Sequence, residues 1–119
     1  MAIWLKRAYE PPEDTDGLRV LVDRLWPRGI SKDAARLDFW AKEVSPSNEL
    51  RKWYSHDPDE WPVFLRRYYT ELDRKSAEVK KLVAMMKGKS VTFVYSSRAR
   101  LNNAFALKEY LESRYPELC

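Results

Sequence analysis

The residues best suited to chemistry in this chain fall in three places. Asp23, Arg24, Trp26 and Arg28 crowd into Asp-Arg-Leu-Trp-Pro-Arg-Gly; Ser96, Ser97 and Arg98 are followed closely by Asn102 and Asn103; and His56 precedes Asp57. An arginine offers a planar fork of N–H donors that can grip phosphate or carboxylate through two parallel bonds. Hydroxyls and amides such as those of Ser96, Ser97, Asn102 and Asn103 add neutral donors around the same anion. For acid–base work the candidates are Asp23 and His56, the imidazole because it titrates near neutrality and has an aspartate beside it. Trp26, with Trp40 and Trp53, serves either core packing or stacking against a base or sugar. The arginines have a structural alternative too, as ion pairs with Asp23, Glu43 or Asp57. A serine nucleophile at Ser96 or Ser97 lacks the flanking glycines of a nucleophile elbow. One His and one cysteine, Cys119, leave only carboxylates as metal ligands, in no ligand spacing, so no metal is expected and no cofactor is named.

Two apolar runs position these groups. Val20-Leu21-Val22 has the unbroken β-branched and aliphatic character of a strand buried on both faces, and Asp23 follows it directly. Val91 to Tyr95 repeats the pattern, followed by Ser96-Ser97-Arg98 and a helix from about Asn102 carrying Ala104, Leu107 and Leu111 on one face. Ile3 to Tyr9 alternates as a half-buried strand, and Glu10 to Gly17, with two prolines and a terminal glycine, is the loop from it to the Leu18 strand. Ser31 is placed to cap a short helix over 32–35, and Leu37 to Val44 alternates as in a strand, the favoured reading, while its composition also permits a helix.

Ser47 is a cap for a helix holding Leu50 and Trp53. Asp57-Pro58-Asp59-Glu60 resembles a capping box ahead of a helix whose Trp61, Leu65, Tyr68 and Leu72 form an apolar stripe. Ser76 stands before a helix with Val79, Leu82, Val83 and Met86 on one face, and Gly88 ends it. Strands alternating with helices predict an α/β fold: one domain over 1–119, a mostly parallel sheet, and helices packed on its faces. The expected core is Val20, Val22, Phe93, Val94, Leu82, Val83, Leu107 and Leu111. Parallel strands would bring Arg24 and Arg28 to the same edge as Ser96, Ser97 and Arg98, beside the first turn of the last helix, which is where open α/β sheets bind ligands.

Composition bounds the reading without choosing it. Five Trp and seven Tyr stand against three Gly, while 22 basic residues are interspersed with 18 acidic ones for a net charge of +4, a mildly basic surface with no polybasic arm. A single cysteine excludes a disulfide framework, and neither a signal-peptide pattern nor a membrane-length apolar run is present, so a cytoplasmic protein with no membrane partner is expected.

Asp23-Arg24-Leu25-Trp26-Pro27-Arg28-Gly29, with Ser45-Pro46-Ser47, Leu50-Arg51-Lys52-Trp53, His56-Asp57-Pro58, the Val-Thr-Phe-Val-Tyr strand and Asn102-Asn103-Ala104, resembles the domain-of-unknown-function family 488 in its short YeaO-like branch. The resemblance covers nearly the whole chain and implies no established activity. It also implies a His directly before the Asn pair and small residues after the Tyr, where this chain has Leu101 and Ser96-Ser97. Three functions fit. The first is a module binding an anionic ligand, whether a phosphate-bearing small molecule, a nucleotide or a nucleic acid. The second is a small enzyme on a nucleotide-like substrate using Asp23 or His56, and the third a protein-interaction domain anchored by aromatics.

Overall fold

A computed structural model of the chain describes residues 3–55 and 57–116. The expectations placed on His56 and Cys119 lie outside the described residues. Four parallel strands, β1 (Ile3–Arg7), β2 (Leu18–Leu21), β3 (Phe39–Trp40) and β4 (Val91–Tyr95), are ordered β1-β4-β2-β3. The fold is therefore α/β with a parallel sheet, as the two apolar runs predicted. β4 comes last in the chain and lies between the first two strands. Ile3 to Arg7 pair residue by residue with Val91 to Tyr95, and Leu18 to Leu21 with Val91 to Val94. A central strand covered on both faces buries every residue: Val91, Phe93 and Val94 are apolar, and the Thr92 hydroxyl donates to the Asp16 carbonyl. Because every strand runs the same way, Arg7, Asp23 and Ser96 all emerge from one edge of the sheet.

The entry to β2 depends on Gly17. It holds φ at +66°, and a Cβ there would run into the carbonyl of Ser90, which accepts from the Leu18 N–H at 2.9 Å.

Helices α1 (Lys32–Ala35), α2 (Asn48–Trp53), α3 (Trp61–Arg74), α4 (Ser76–Met86) and α5 (Asn103–Arg114) complete the order. Ser31, Ser47 and Asn102 cap α1, α2 and α5, each accepting from a backbone N–H three residues on. Ser76 is not a cap: it is the first residue of α4, which follows α3 after the single residue Lys75. Asp57 caps a turn of 3-10 helix at Pro58–Glu60, and α3 begins at Trp61.

The two faces of the sheet are covered differently. Ile3, Val20, Val22, Val91 and Phe93 face α2 to α5 in one large core with Leu82, Val83, Leu107 and Leu111. Val94, expected there, instead joins Leu21 and Ala8 on the opposite face, because successive strand residues point to opposite sides. That second face is covered by Trp40 of β3 and by the loop side chains Trp26, Ile30 and Leu37, with the end of α1 bonded to Arg19. It also holds a charged cluster in which Arg19 is buried against Asp16. Leu37 to Val44 is a strand only at Phe39–Trp40. Ala41 leaves the extended region (φ −84°, ψ 53°), and a 3-10 turn at Lys42–Val44 follows, held by the Ser45 hydroxyl lying 2.8 and 2.9 Å from the carbonyls of Val22 and Ala41. No helix among the described residues is long and apolar enough to cross a membrane.

Candidate functional site

A cavity of about 440 Å³ opens at the carboxyl ends of β2 and β4. Asp23 and Arg24 come from the end of β2, Trp26, Pro27 and Arg28 from the loop beyond it, Ser96 and Ser97 from the end of β4, and Asn103 from the first turn of α5. The far wall is Pro46, Arg51 and Tyr54 from α2 and its approach, with Phe64 of α3 stacked on Tyr54 at 4.4 Å and Tyr9 beside the arginine loop. The size suits a small-molecule ligand.

Asp23 is the best-tied group in it. Its Oδ2 accepts from the Ser96 N–H and its Oδ1 from the Asn103 amide, both at 2.9 Å, while Asn103 also donates to the Val22 carbonyl. One carboxylate thus joins the ends of β2 and β4 to the start of α5. Burial pushes the Asp23 carboxyl above the usual carboxylate range, against the opposing pull of the Asn103 and Ser96 hydrogen bonds and the Arg51 charge.

Two arginines hold the walls. Arg24 donates to the carbonyls of Pro46 (2.9 Å) and Ser45 (3.1 Å), tying the approach to α2 onto the end of β2. Arg7, at the end of β1, does the same for the other wall, donating to Ser96 (2.9 Å) and Ser97 (3.1 Å). Two further carbonyls of the rim are engaged as well: Asp23 accepts from Trp40 Nε1 at 2.7 Å and Arg28 from the Tyr9 hydroxyl at 3.1 Å. Three guanidinium groups, Arg24, Arg28 and Arg51, line the space with one acid, Asp23, among the described residues.

Arg24, Trp26, Arg28, Ser96, Ser97, Asn103 and Asp23 are brought together as their spacing predicts. Trp26 and Trp40 pack edge to face at 5.5 Å, and Trp26 Nε1 donates to the Ile30 carbonyl, so that tryptophan braces the arginine loop. Arg98 is exposed and is not part of the lining. Asn102 is buried as the α5 cap: it accepts from the Phe105 N–H and donates to the carbonyls of Ala99 and Arg100, and so takes no place in the cavity. Arg7, Arg51, Tyr54 and Phe64 escaped the reading of the sequence. Arg7 is the last residue of the half-buried strand β1, a position that gains meaning only once β1 and β4 are known to be neighbours. Among the described residues no three His, Cys, Asp or Glu side chains stand together in a way that would hold a metal ion.

A parallel α/β protein with an arginine-lined cavity at its strand ends is the class that this geometry defines. The chain belongs to the DUF488 family: the model described as the inactive DUF488-N3 subclade matches residues 2–118. It is 42% identical to Uncharacterized protein YeaO of Escherichia coli (strain K12) over 114 residues, which cover 95% of this chain and 99% of that one. It is 50% identical to Uncharacterized protein Rv3073c of Mycobacterium tuberculosis (strain ATCC 25618 / H37Rv) over 78 residues, covering 64% and 66% respectively. No solved structure matches the chain.

Proposed function

We propose that this cavity binds a small phosphate-bearing ligand and holds it without turning it over. The observation that carries the reading is the division of labour among the arginines. Arg7 and Arg24 spend their forks on wall carbonyls, whereas Arg28 is exposed, presented from a loop pinned by buried Pro27 and by Gly29 at φ +81°. Arg51 is likewise exposed, on α2 across the cavity. Arg51 gives only a 3.5 Å hydrogen bond to exposed Asn48, and both guanidinium groups can close on an anion with little loss of order, since the backbone of each is already held. The word inactive in the description of the matching subclade agrees with binding in place of catalysis.

Sulfate is a suitable first probe, titrated by calorimetry. The unaltered protein should bind it saturably, and the doubly substituted Arg28→Ala, Arg51→Ala protein should bind it more weakly by roughly tenfold or more, the loss of charge-assisted hydrogen bonds. Its folding stability should stay within about 0.5 kcal/mol, as for exposed side chains elsewhere. Arg28→Lys should also weaken binding, because an ammonium keeps the charge but not the fork. Unchanged affinity in the double variant, or no saturable binding by the unaltered protein, would remove the basis of the proposal.

Asp23 sets the pH dependence of the same measurement. Its ionised carboxylate opposes an anion, and its folded pKa lies above the ordinary carboxylate value. Protonation as pH falls through that raised pKa removes the opposing charge, so sulfate affinity should rise on mild acidification and level off at neutral pH. A flat profile would place the anion away from Asp23.

A further inference from the structure

We infer that the open edge of the sheet pairs with the same edge of a second copy of this chain, β1 against β1 in antiparallel fashion, with the two Trp4 side chains meeting across the two-fold axis. This surface is separate from the cavity and follows from the backbone. β1 and β3 are the outer strands of the order β1-β4-β2-β3. β3 is only Phe39–Trp40, too short to template a strand, whereas β1 runs for five residues in unbroken register with β4. In a parallel ladder, alternate residues of a strand turn their N–H and C=O toward one neighbour. The Ala8 N–H donates to the Tyr95 carbonyl at 2.7 Å, so the peptide groups of Trp4 and Lys6 also turn to β4, and those of Ile3, Leu5 and Arg7 turn outward. Arg7 is closed off: its N–H donates to the Glu10 carboxylate at 2.7 Å, and its carbonyl accepts from the Glu10 N–H at 3.1 Å. The outward groups of Ile3 and Leu5 have no partner among the described residues.

Proteins that keep such an edge single guard it with proline, a bulge or an outward charge. Ile-Trp-Leu-Lys-Arg has no proline, its pairing with β4 has no bulge, and both of its charges are turned away. Lys6 lies on Glu13 and Asp16, at 2.7 and 3.1 Å, and Arg7 donates to the Ser96 and Ser97 carbonyls. What the strand shows to water is Trp4, 59% exposed on the second face of the sheet. The register that engages both free residues of both copies sets Ile3 opposite Leu5 of the second copy and Leu5 opposite its Ile3, each pair exchanging both hydrogen bonds. Trp4 then stands opposite itself at a non-hydrogen-bonded position, where side chains approach most closely and an aromatic pair adds stability. A register centred on Leu5 would need the peptide groups of Arg7, which Glu10 already holds. Antiparallel pairing of one edge with itself closes as a two-fold dimer, so it leaves no further open β1 edge. The contact is small, and the dimer is therefore a weak one that forms with rising concentration.

Sedimentation velocity on the unaltered protein from about 1 μM to about 1 mM should show a monomer–dimer equilibrium. Trp4→Glu sets like charges opposite each other at the axis and should weaken dimerisation about tenfold or more, while the fold holds because this side chain is exposed. A second pair of variants reads the register directly. Trp4→Cys, in a chain also carrying Cys119→Ser, puts two thiols at the axis, where a Cα separation of about 4.5 Å falls within the range a disulfide spans. Mild oxidation should convert that protein to a covalent dimer. Leu25→Cys with Cys119→Ser places a comparably exposed thiol at the cavity rim and should stay monomeric under the same conditions. A monomer at every concentration would overturn the inference. So would association that Trp4→Glu leaves unchanged, or cross-linking no faster at position 4 than at position 25.

Discussion

Replacing Asp16 with alanine should destabilise the fold by about 3 kcal/mol, toward the lower end of the penalty for removing one partner from a buried ion pair. Arg19 lies on the second face of the sheet, only 4% exposed, with Nη1 2.6 Å from Asp16. Lys6 reaches the same carboxylate at 3.1 Å. The other Arg19 donors go to the Ala35 carbonyl, at 2.9 and 3.2 Å, so the guanidinium cannot swing out to water without releasing the end of α1. Alanine would leave two cations facing each other over an empty position. The effect falls at the lower end because this face is covered by a loop and one short helix, and water can approach.

Acid provides an independent reading of the same residue. Burial pushes the Asp16 carboxyl up, but hydrogen bonds from the Glu13 backbone, Lys6 and Arg19 outweigh it, and the net position is below the ordinary carboxylate value. A carboxylate depressed in the folded state contributes stability above its unfolded pKa of about 4 and loses it as pH falls through the folded one. Urea titrations across that range should show a steeper acid loss for the unaltered protein than for Asp16→Ala. Glu13→Ala, which removes an exposed partner of Lys6, should change stability by less than about 1 kcal/mol. An Asp16→Ala protein as stable as its parent, with an unchanged acid profile, would show that the cluster is not what holds this face.

Leu107→Ala should cost about 3–5 kcal/mol, in the upper part of the range for deleting a buried leucine. Leu107 is fully buried in the main core, on the α5 face that packs against β4 and β1, where the sheet and the helices of one side meet. Helix and sheet both flank the space vacated, and neither can collapse far into it, since α5 is also tied at its start through Asn103 to Asp23 and Val22. The expected result is a lower urea midpoint with an unchanged slope. Leu25→Ala is the contrast: this leucine is 54% exposed at the cavity rim and should leave stability within about 0.5 kcal/mol. A loss for Leu107→Ala as small as that of Leu25→Ala would mean that α5 does not pack as described.

Much of the fold is legible in the residues because its signals are local. Val20-Leu21-Val22 and Val91 to Val94 are too continuously apolar to be anything but interior strands, and Ser31, Ser47 and Asn102 announce helix starts through their own side chains. Where two local choices lie close in energy the residues leave both open: 37–44 alternates like a strand and admits a helix, and the structure holds a strand at Phe39–Trp40 before a 3-10 turn over which the Ser45 hydroxyl reaches the carbonyls of Val22 and Ala41. Ser76 looks like a cap, yet Lys75 alone separates α3 from α4 and leaves it no room to act as one. Val94 does not share the core side of Phe93, because adjacent strand residues face opposite ways.

By itself the sequence determined that the chain would be an α/β protein with parallel strands, and that Asp23, Arg24, Arg28, Ser96 and Ser97 would stand together at the strand ends. Those residues follow directly on the apolar runs, so parallel pairing suffices to gather them. Tertiary structure alone decided which arginines hold the walls and which stay exposed at the cavity. Arg24 and Arg28 are four residues apart and chemically identical, but carbonyls of the approach to α2 fold within reach of one and not the other. It also decided that Arg7, from 16 residues upstream of Asp23, would brace the wall that Ser96 and Ser97 form, because β4 inserts between β1 and β2. Strand order is set by how the whole set of apolar faces is buried at once, and no local stretch of sequence carries that information.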